Sequence, residues 1–229
     1  GAWFETNPEG QCLYTPAPVL FIGSEDLPGT IKARLGNYGA DIARVSLATH
    51  LRTGDKRNRF TLDTANLPSL QRAILSRGVK LVVIDPIQSF LPPGKDMNNS
   101  AQMRELFDQL GELAYVCQCA IVIIQHFSKK TDVRPEDRIA GTKDFFNCPR
   151  SVLVIVKQDD VFDEILTGGL PYRKFQRSKH MLGQLKNSIL GEGTTIEFQL
   201  EAGDNFSWVG TSALTAHDLL AVSQDGPMS

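Results

Sequence analysis

The chain has 229 residues, 41% of them hydrophobic and 22% charged, and a formal net charge of −2. That length is enough to bury one full core, and the balance is that of a globular domain rather than a disordered one. The near-neutral charge excludes a broad basic field, so any contact with nucleic acid has to come from a local patch. No run of about 18 apolar residues is present to span a membrane. The opening Gly1-Ala2-Trp3-Phe4-Glu5 lacks the basic-then-apolar pattern of a signal peptide. Four cysteines make no disulfide framework, and Cys117 and Cys119 have no second pair at zinc-ligand spacing. They read as reduced thiols of a cytoplasmic protein.

The first predicted element is a strand over Pro18-Val19-Leu20-Phe21-Ile22. A helix over Leu27 to Tyr38 follows, with Pro28 in its first turn and Gly39 just past its end. A second helix over Leu67 to Arg77 has Pro68 near its start and Gly78 after it. Lys80-Leu81-Val82-Val83-Ile84 is the next strand. Ser100 to Val116 then places Met103, Leu106, Phe107, Leu110, Leu113 and Ala114 at helical spacing, with Ser100 as the expected N-cap. Strands over Ala120-Ile121-Val122-Ile123-Ile124 and Ser151-Val152-Leu153-Val154-Ile155-Val156 complete the series. None of these apolar runs alternates with polar residues, as expected of strands buried on both faces of a parallel sheet. Strand and helix in alternation predict an α/β, doubly wound core with a mostly parallel sheet flanked by helices.

Beyond residue 156 the pattern changes. Asp159, Asp160, Asp163 and Glu164 form an acidic turn. Short runs at His180 to Lys186, Thr194 to Leu200 and Phe206 to Val209, separated by glycines, predict antiparallel strands completing one side of the sheet. Residues 1–213 are expected to form the core, and 214–229 a short helix (Leu214 to Leu220) with a tail or linker.

Ligands of open α/β sheets gather at the carboxyl ends of the strands, and three predicted strands end there in polar residues: Gly23-Ser24-Glu25-Asp26, Asp85, and Gln125-His126. Asp85 follows four apolar residues, the pattern of a Walker B strand whose carboxylate holds Mg²⁺ through water. An Asp opening a turn before Pro86 would leave the same trace. Glu25 can polarise an attacking water, or can simply favour the dipole of the helix that follows. His126 can donate a hydrogen bond to a terminal phosphate, or merely end its strand. Lys129, Lys130, Arg134 and Arg138 make a cationic loop able to grip a phosphate backbone, although Asp132, Glu136 and Asp137 nearly offset its charge.

Taken together, these blocks resemble the RepA-like ATPases of plasmid and phage helicases, within the AAA/RecA-like P-loop ATPases. Val19-Leu20-Phe21-Ile22-Gly23-Ser24-Glu25-Asp26 with Pro28 and Arg34-Leu35 is similar to that family's strand, Ser/Ala-Glu-Asp, helix block. Leu81 to Pro86 is similar to its Walker B strand, and Ile123-Ile124-Gln125-His126-Phe127-Ser128-Lys129 to its strand ending in His and then Lys. Arg138-Ile139-Ala140-Gly141-Thr142, Pro149-Arg150-Ser151-Val152-Leu153, Leu185-Lys186-Asn187, Ile196-Glu197-Phe198, Trp208-Val209-Gly210 and Leu214-Thr215-Ala216 follow in the family's order, over residues ~1 to ~220.

The resemblance implies a RecA-like P-loop NTPase core using ATP and Mg²⁺, assembled as a homo-oligomeric ring of the hexameric type, with single-stranded DNA as partner. It implies that Glu25 activates water, Asp85 holds magnesium and His126 senses the γ-phosphate. Arg150 matches an arginine finger reaching the neighbouring subunit's ATP, and Lys186 a second one. One departure is large. No Gly-x-x-x-x-Gly-Lys-Ser/Thr loop occurs in the chain, and Gly191-Glu192-Gly193-Thr194-Thr195 has no lysine to reach phosphates. In the family that loop comes immediately before the block where this chain begins, so truncation is the expectation, along with an isolated chain that is inactive. Its strand is expected beside the one ending in His126. A catalytically silent RecA-like assembly or DNA-binding module is the alternative. A dinucleotide enzyme is disfavoured because no Gly-x-Gly-x-x-Gly follows a strand.

Overall fold

A computed structural model describes residues 15–48, 50–53, 56–127, 138–158, 179–189, 191, 193–201 and 205–222. The chain divides into two compact units, Gly1–Phe127 with Ala140–Asp144, and Ser128–Ile139 with Phe145–Ser229.

In the first unit, the apolar runs become strands β1 (Val19–Gly23), β2 (Val45–Ala48), β5 (Leu81–Asp85) and β6 (Ala120–Ile123). They form one parallel sheet of order β2-β1-β5-β6. Val19 pairs with Leu81 and Gly23 with Asp85, while Leu81 pairs with Ala120 and Ile84 with Ile123. This register brings the carboxyl ends of β1, β5 and β6 to one edge of the sheet. A separate antiparallel hairpin joins β3 (His50–Thr53) to β4 (Lys56–Arg59). Neither β2 nor this hairpin was expected from the sequence. β2 has only four residues, and the hairpin is too rich in charged and polar residues to give an apolar run.

Helices connect the parallel strands. α1 (Pro28–Asn37) and α2 (Leu67–Ser76) both begin with proline in the first turn. Gly39 (φ 77°) and Gly78 (φ 61°) take the left-handed conformation just beyond each helix, where a Cβ would be strained. α3 (Ser100–Cys117) is capped by Asn99, whose side chain accepts from the Gln102 N–H at 3.1 Å. Ser100, the expected cap, is thereby freed for another partner. The core of this unit draws on Leu20, Ile22, Leu70, Ile74, Val82, Ile84, Ile87, Phe90, Met103, Leu106 and Leu110. Each such side chain contributes about 1.5–3 kcal/mol on burial. Among the described residues, no helix is long and apolar enough to cross a membrane.

In the second unit, β7 (Ser151–Gln158), β8 (Lys179–Asn187), β9 (Thr195–Glu201) and β10 (Asn205–Ser212) form an antiparallel sheet of order β10-β9-β8-β7. Two expectations change here. These strands make a sheet of their own among the described residues, whereas they were expected to complete the parallel one. And neither β6 nor β7 is buried on both faces: in β6 Val122 is 45% exposed, and in β7 Val154 is 3% exposed but Leu153 and Ile155 are 58% and 59% exposed. Antiparallel pairing leaves a sheet able to show one face to solvent. The covered face carries α5 (Ala216–Val222), which packs on β8 and β7. Gly183 permits that approach, since a Cβ there would lie 2.9 Å from the Ala216 Cβ. The acidic turn of Asp159 to Glu164 lies outside the described residues.

Candidate functional site at the carboxyl edge of the parallel sheet

Backbone hydrogen bonds continue past the strand ends and hold the edge together. The Ser24 N–H donates to the Asp85 carbonyl at 3.2 Å, and the Ile87 N–H donates to the Ile124 carbonyl at 3.2 Å. The residues after β1, at the end of β5 and after β6 are thus held side by side. The structure brings Glu25, Asp85 and His126 together there.

The His126 Nε2 lies 3.7 Å from the Glu25 Oε1, and both side chains are more than half exposed. Asp85 ends the strand between them. Burial pushes its carboxyl above the ordinary carboxylate range; the Glu25 charge adds to this, His126 opposes it, and Asp26 adds a further push. Asp26 is itself paired, accepting from the Arg34 Nη1 at 2.7 Å. α1 has no acidic residue in its first turn and is entered through Leu27, so Glu25 precedes the cap rather than sitting on the first turn.

Among the described residues, no three His, Cys, Asp or Glu side chains are placed to form a metal cage. Mg²⁺ does not need one, because it keeps several waters and takes one or two carboxylates plus phosphate oxygens. Asp85 fits that role. It is a half-buried carboxylate at a fixed strand end, crowded by Glu25 and Asp26, and a cation would relieve that repulsion.

The other predicted residues belong to the second unit or lie outside the described residues. Arg150 lies in the second unit, immediately before β7. It is exposed, its carbonyl accepts from the Ser188 N–H at 2.8 Å, and its guanidinium has no partner among the described residues. Lys186 is engaged within that unit. Its Nζ donates to the carbonyls of Phe146 (3.0 Å) and Asn147 (2.6 Å) and sits 5.5 Å from the Phe146 ring centroid. These carbonyls close the short helix α4 (Asp144–Asn147), so Lys186 acts as its cationic C-terminal cap. Lys129, Lys130 and Arg134 lie outside the described residues, and Arg138 is half-buried. Burial pushes the Cys117 and Cys119 thiols up, as suits unreactive structural cysteines.

Two residues have structural roles that the sequence did not reveal: Gln125, read there only as a polar strand end, and Asp144. Gln125 Nε2 donates to the Ala140 carbonyl at 3.2 Å, while the Ala140 N–H donates to the His126 carbonyl at 3.4 Å. Asp144 is buried and accepts from Ser100, from Arg104 Nη2 at 2.8 Å and from Thr142 Oγ1 at 3.2 Å. No local motif announces it, since two of its partners lie 44 and 40 residues away in sequence.

A comparison with curated proteins finds no match. The family model of the AAA domain matches residues 2–132, a span that holds Glu25, Asp85 and His126. The match covers more than half of the chain, which belongs to the AAA domain family.

Proposed function

We propose that the protein is an ATPase of the RepA-like helicase type, working on DNA as a ring in a plasmid, phage or other mobile element. Membership of the AAA domain family gives the coarser part, an ATPase-type nucleotide-binding domain. The observation that carries the finer reading is the meeting of Glu25, Asp85 and His126 at one edge of three adjacent parallel strands. Parallel α/β sheets place ligands at that edge.

In this reading Glu25 orients and deprotonates the attacking water, and Asp85 is the carboxylate that would hold Mg²⁺ through water. His126, steadied by Glu25, presents an N–H to the terminal phosphate. Bound ATP and Mg²⁺ would supply the phosphoanhydride and the neutralising charge. The backbone cradle and lysine for the phosphates are not encoded in these 229 residues. The outer edge of β6 is unpaired among the described residues, and a strand carrying that loop would pair there. Residues 1–229 alone are therefore expected neither to bind ATP tightly nor to hydrolyse it.

Arg150 suits a trans-acting finger because its guanidinium is exposed and unpartnered among the described residues. Lys186 would have to leave two carbonyls to act as a second finger. Lys129, Lys130, Arg134 and Arg138 are the proposed contacts to single-stranded DNA. The second reading is a silent assembly or DNA-binding module; absence of a glycine-rich phosphate loop from the full-length protein would favour it.

The test is DNA-stimulated ATP turnover by the full-length protein, in homogeneous rings and in rings doped with Arg150→Ala subunits. Loss of activity out of proportion to the mutant fraction supports the ring ATPase with a trans finger. Strictly proportional loss removes the finger, and no turnover with a phosphate loop present favours the silent module.

A further inference from the structure

Among the described residues, Asp144 is the only buried charged side chain, 2% exposed. Its Oδ2 accepts from the hydroxyls of Ser100 and Thr142, and its Oδ1 from the guanidinium of Arg104. The Thr142 N–H donates to the Met97 carbonyl at 3.0 Å. Residues 142–144 are therefore fastened to the first turn of α3 and to the loop before it. Ala140, two residues before Thr142, is held at both of its polar backbone groups by the end of β6. Its N–H reaches the His126 carbonyl and its carbonyl receives Gln125 Nε2. Gly141 makes the turn between these anchors with φ 97°, a conformation strained for any residue with a Cβ.

We infer that Asp144 is a positioning residue for His126, acting through a strap, Ala140 to Asp144, that is anchored on α3 and grips the end of β6. Just after β6 the backbone leaves the regular ladder and is held by single contacts. Ile124 bonds Ile84 and Ile87 on one side, the His126 carbonyl accepts from the Ala140 N–H on the other, and Phe127 forms a lone bridge. The height of the imidazole over Glu25 thus depends on where the strap is tied. Asp144 suits an anchor, since hydrogen bonds from Ser100 and Arg104 hold its carboxyl below the ordinary range and keep it charged. A buried carboxylate with three donors fixes its neighbours more tightly than an exposed pair would. Only the kinetic consequence rests on the proposed ATPase reading; the strap itself does not.

The experiment is amide hydrogen exchange on the full chain, comparing wild type with Asp144→Ala, Ser100→Ala and Thr142→Ala. Asp144→Ala is expected to speed exchange at the Ala140 amide by about tenfold or more, with the Val82 and Ile84 amides of β5 unchanged within about twofold. Unchanged exchange at Ala140, or an equal rise in β5, would overturn the inference. If Asp144→Ala does not fold, the two hydroxyl variants decide. A rise of a few fold at Ala140 in either supports the strap, and no change in both refutes it. In the full-length protein the same variants should lower kcat for ATP by about tenfold while KM stays within about twofold; an equal loss in both parameters counts against positioning. Wild type without turnover refutes the ATPase reading and leaves the exchange result to judge the strap.

Discussion

His126 and Glu25 approach within 3.7 Å although their strands are not neighbours: β5, ending in Asp85, runs between them. Both side chains are largely exposed, so the pair adds only about 0–1 kcal/mol to stability. Glu25→Gln should therefore shift the Tm by no more than about 2–4 °C. In the full-length protein it should lower ATP turnover by about 10²–10⁴-fold. A calorimetric melt and a steady-state assay on the same preparation check both, and a large Tm drop would recast Glu25 as structural.

Asp85→Asn should have the opposite sign on stability. The folded-state pKa of Asp85 is raised above the usual 3.8, chiefly by burial and then by Glu25. The folded protein thus binds this proton more readily than the unfolded chain. The contribution to stability is full below the unfolded pKa and is lost as pH rises through the folded one. At pH 7 the ionised carboxylate is a cost, which the amide removes. A Tm gain of about 2–4 °C at pH 7, shrinking towards pH 3, is the expected result. A loss at pH 7 would show that the charge is compensated.

Asp144 gives the reverse pH profile. Hydrogen bonds from Ser100 and then Arg104 lower its folded pKa below 3.8. Its contribution is present above the unfolded pKa and disappears as pH falls through the folded value. Urea melts of wild type and Asp144→Asn between pH 7 and pH 2 should differ most at pH 7 and converge below about pH 3. A difference independent of pH would assign the effect to packing rather than charge.

Lys186→Met retains most of the apolar stem but removes the ammonium from the Phe146 and Asn147 carbonyls. Losing hydrogen bonds from a charged donor should destabilise the protein by about 1.5–3 kcal/mol. Chemical denaturation of residues 1–229 measures this without ATP or DNA. A neutral result would free Lys186 for a role outside its own unit.

Gly183→Ala would drive a methyl into Ala216, at 2.9 Å from its Cβ and 3.0 Å from its Cα. Neither atom is the flexible end of a side chain, so α5 has to shift off β8. A cost of about 1–3 kcal/mol follows, read as a lower denaturation midpoint; an unchanged midpoint would mean that α5 is free to move.

The order of apolar runs and their proline and glycine punctuation made β1, β5, β6, α1, α2 and α3 legible as elements, although β6, with Val122 exposed, lacks the two-sided burial its continuous apolar run suggested. The same logic misled at β7, where Leu153 and Ile155 are apolar yet exposed. One-sided burial and two-sided burial leave the same six-letter trace. In the site, Glu25, Asp85 and His126 could be read because each ends such a run or lies within three residues of its end. Asp144 could not, because Ser100 and Arg104 become its partners only after α3 is folded beside it. Lys186 showed its charge in sequence but not the carbonyls of α4 that hold it.

α3 hands over to β6 through only Gln118 and Cys119, with Gln118 in the left-handed conformation at φ 50°. The Gln118 carbonyl accepts from Lys80 Nζ at 3.3 Å, and the Ala120 N–H donates to the Lys80 carbonyl at 2.9 Å. Both strands therefore start counting from the same tick, far from the chemistry. Each residue advances a strand by about 3.3 Å and turns the side chain to the opposite face. One extra residue at this corner would carry His126 past Asp85 and point it the wrong way, with no atom of the site altered. The corner works as the zero of a ruler, and the reach of His126 is measured from there.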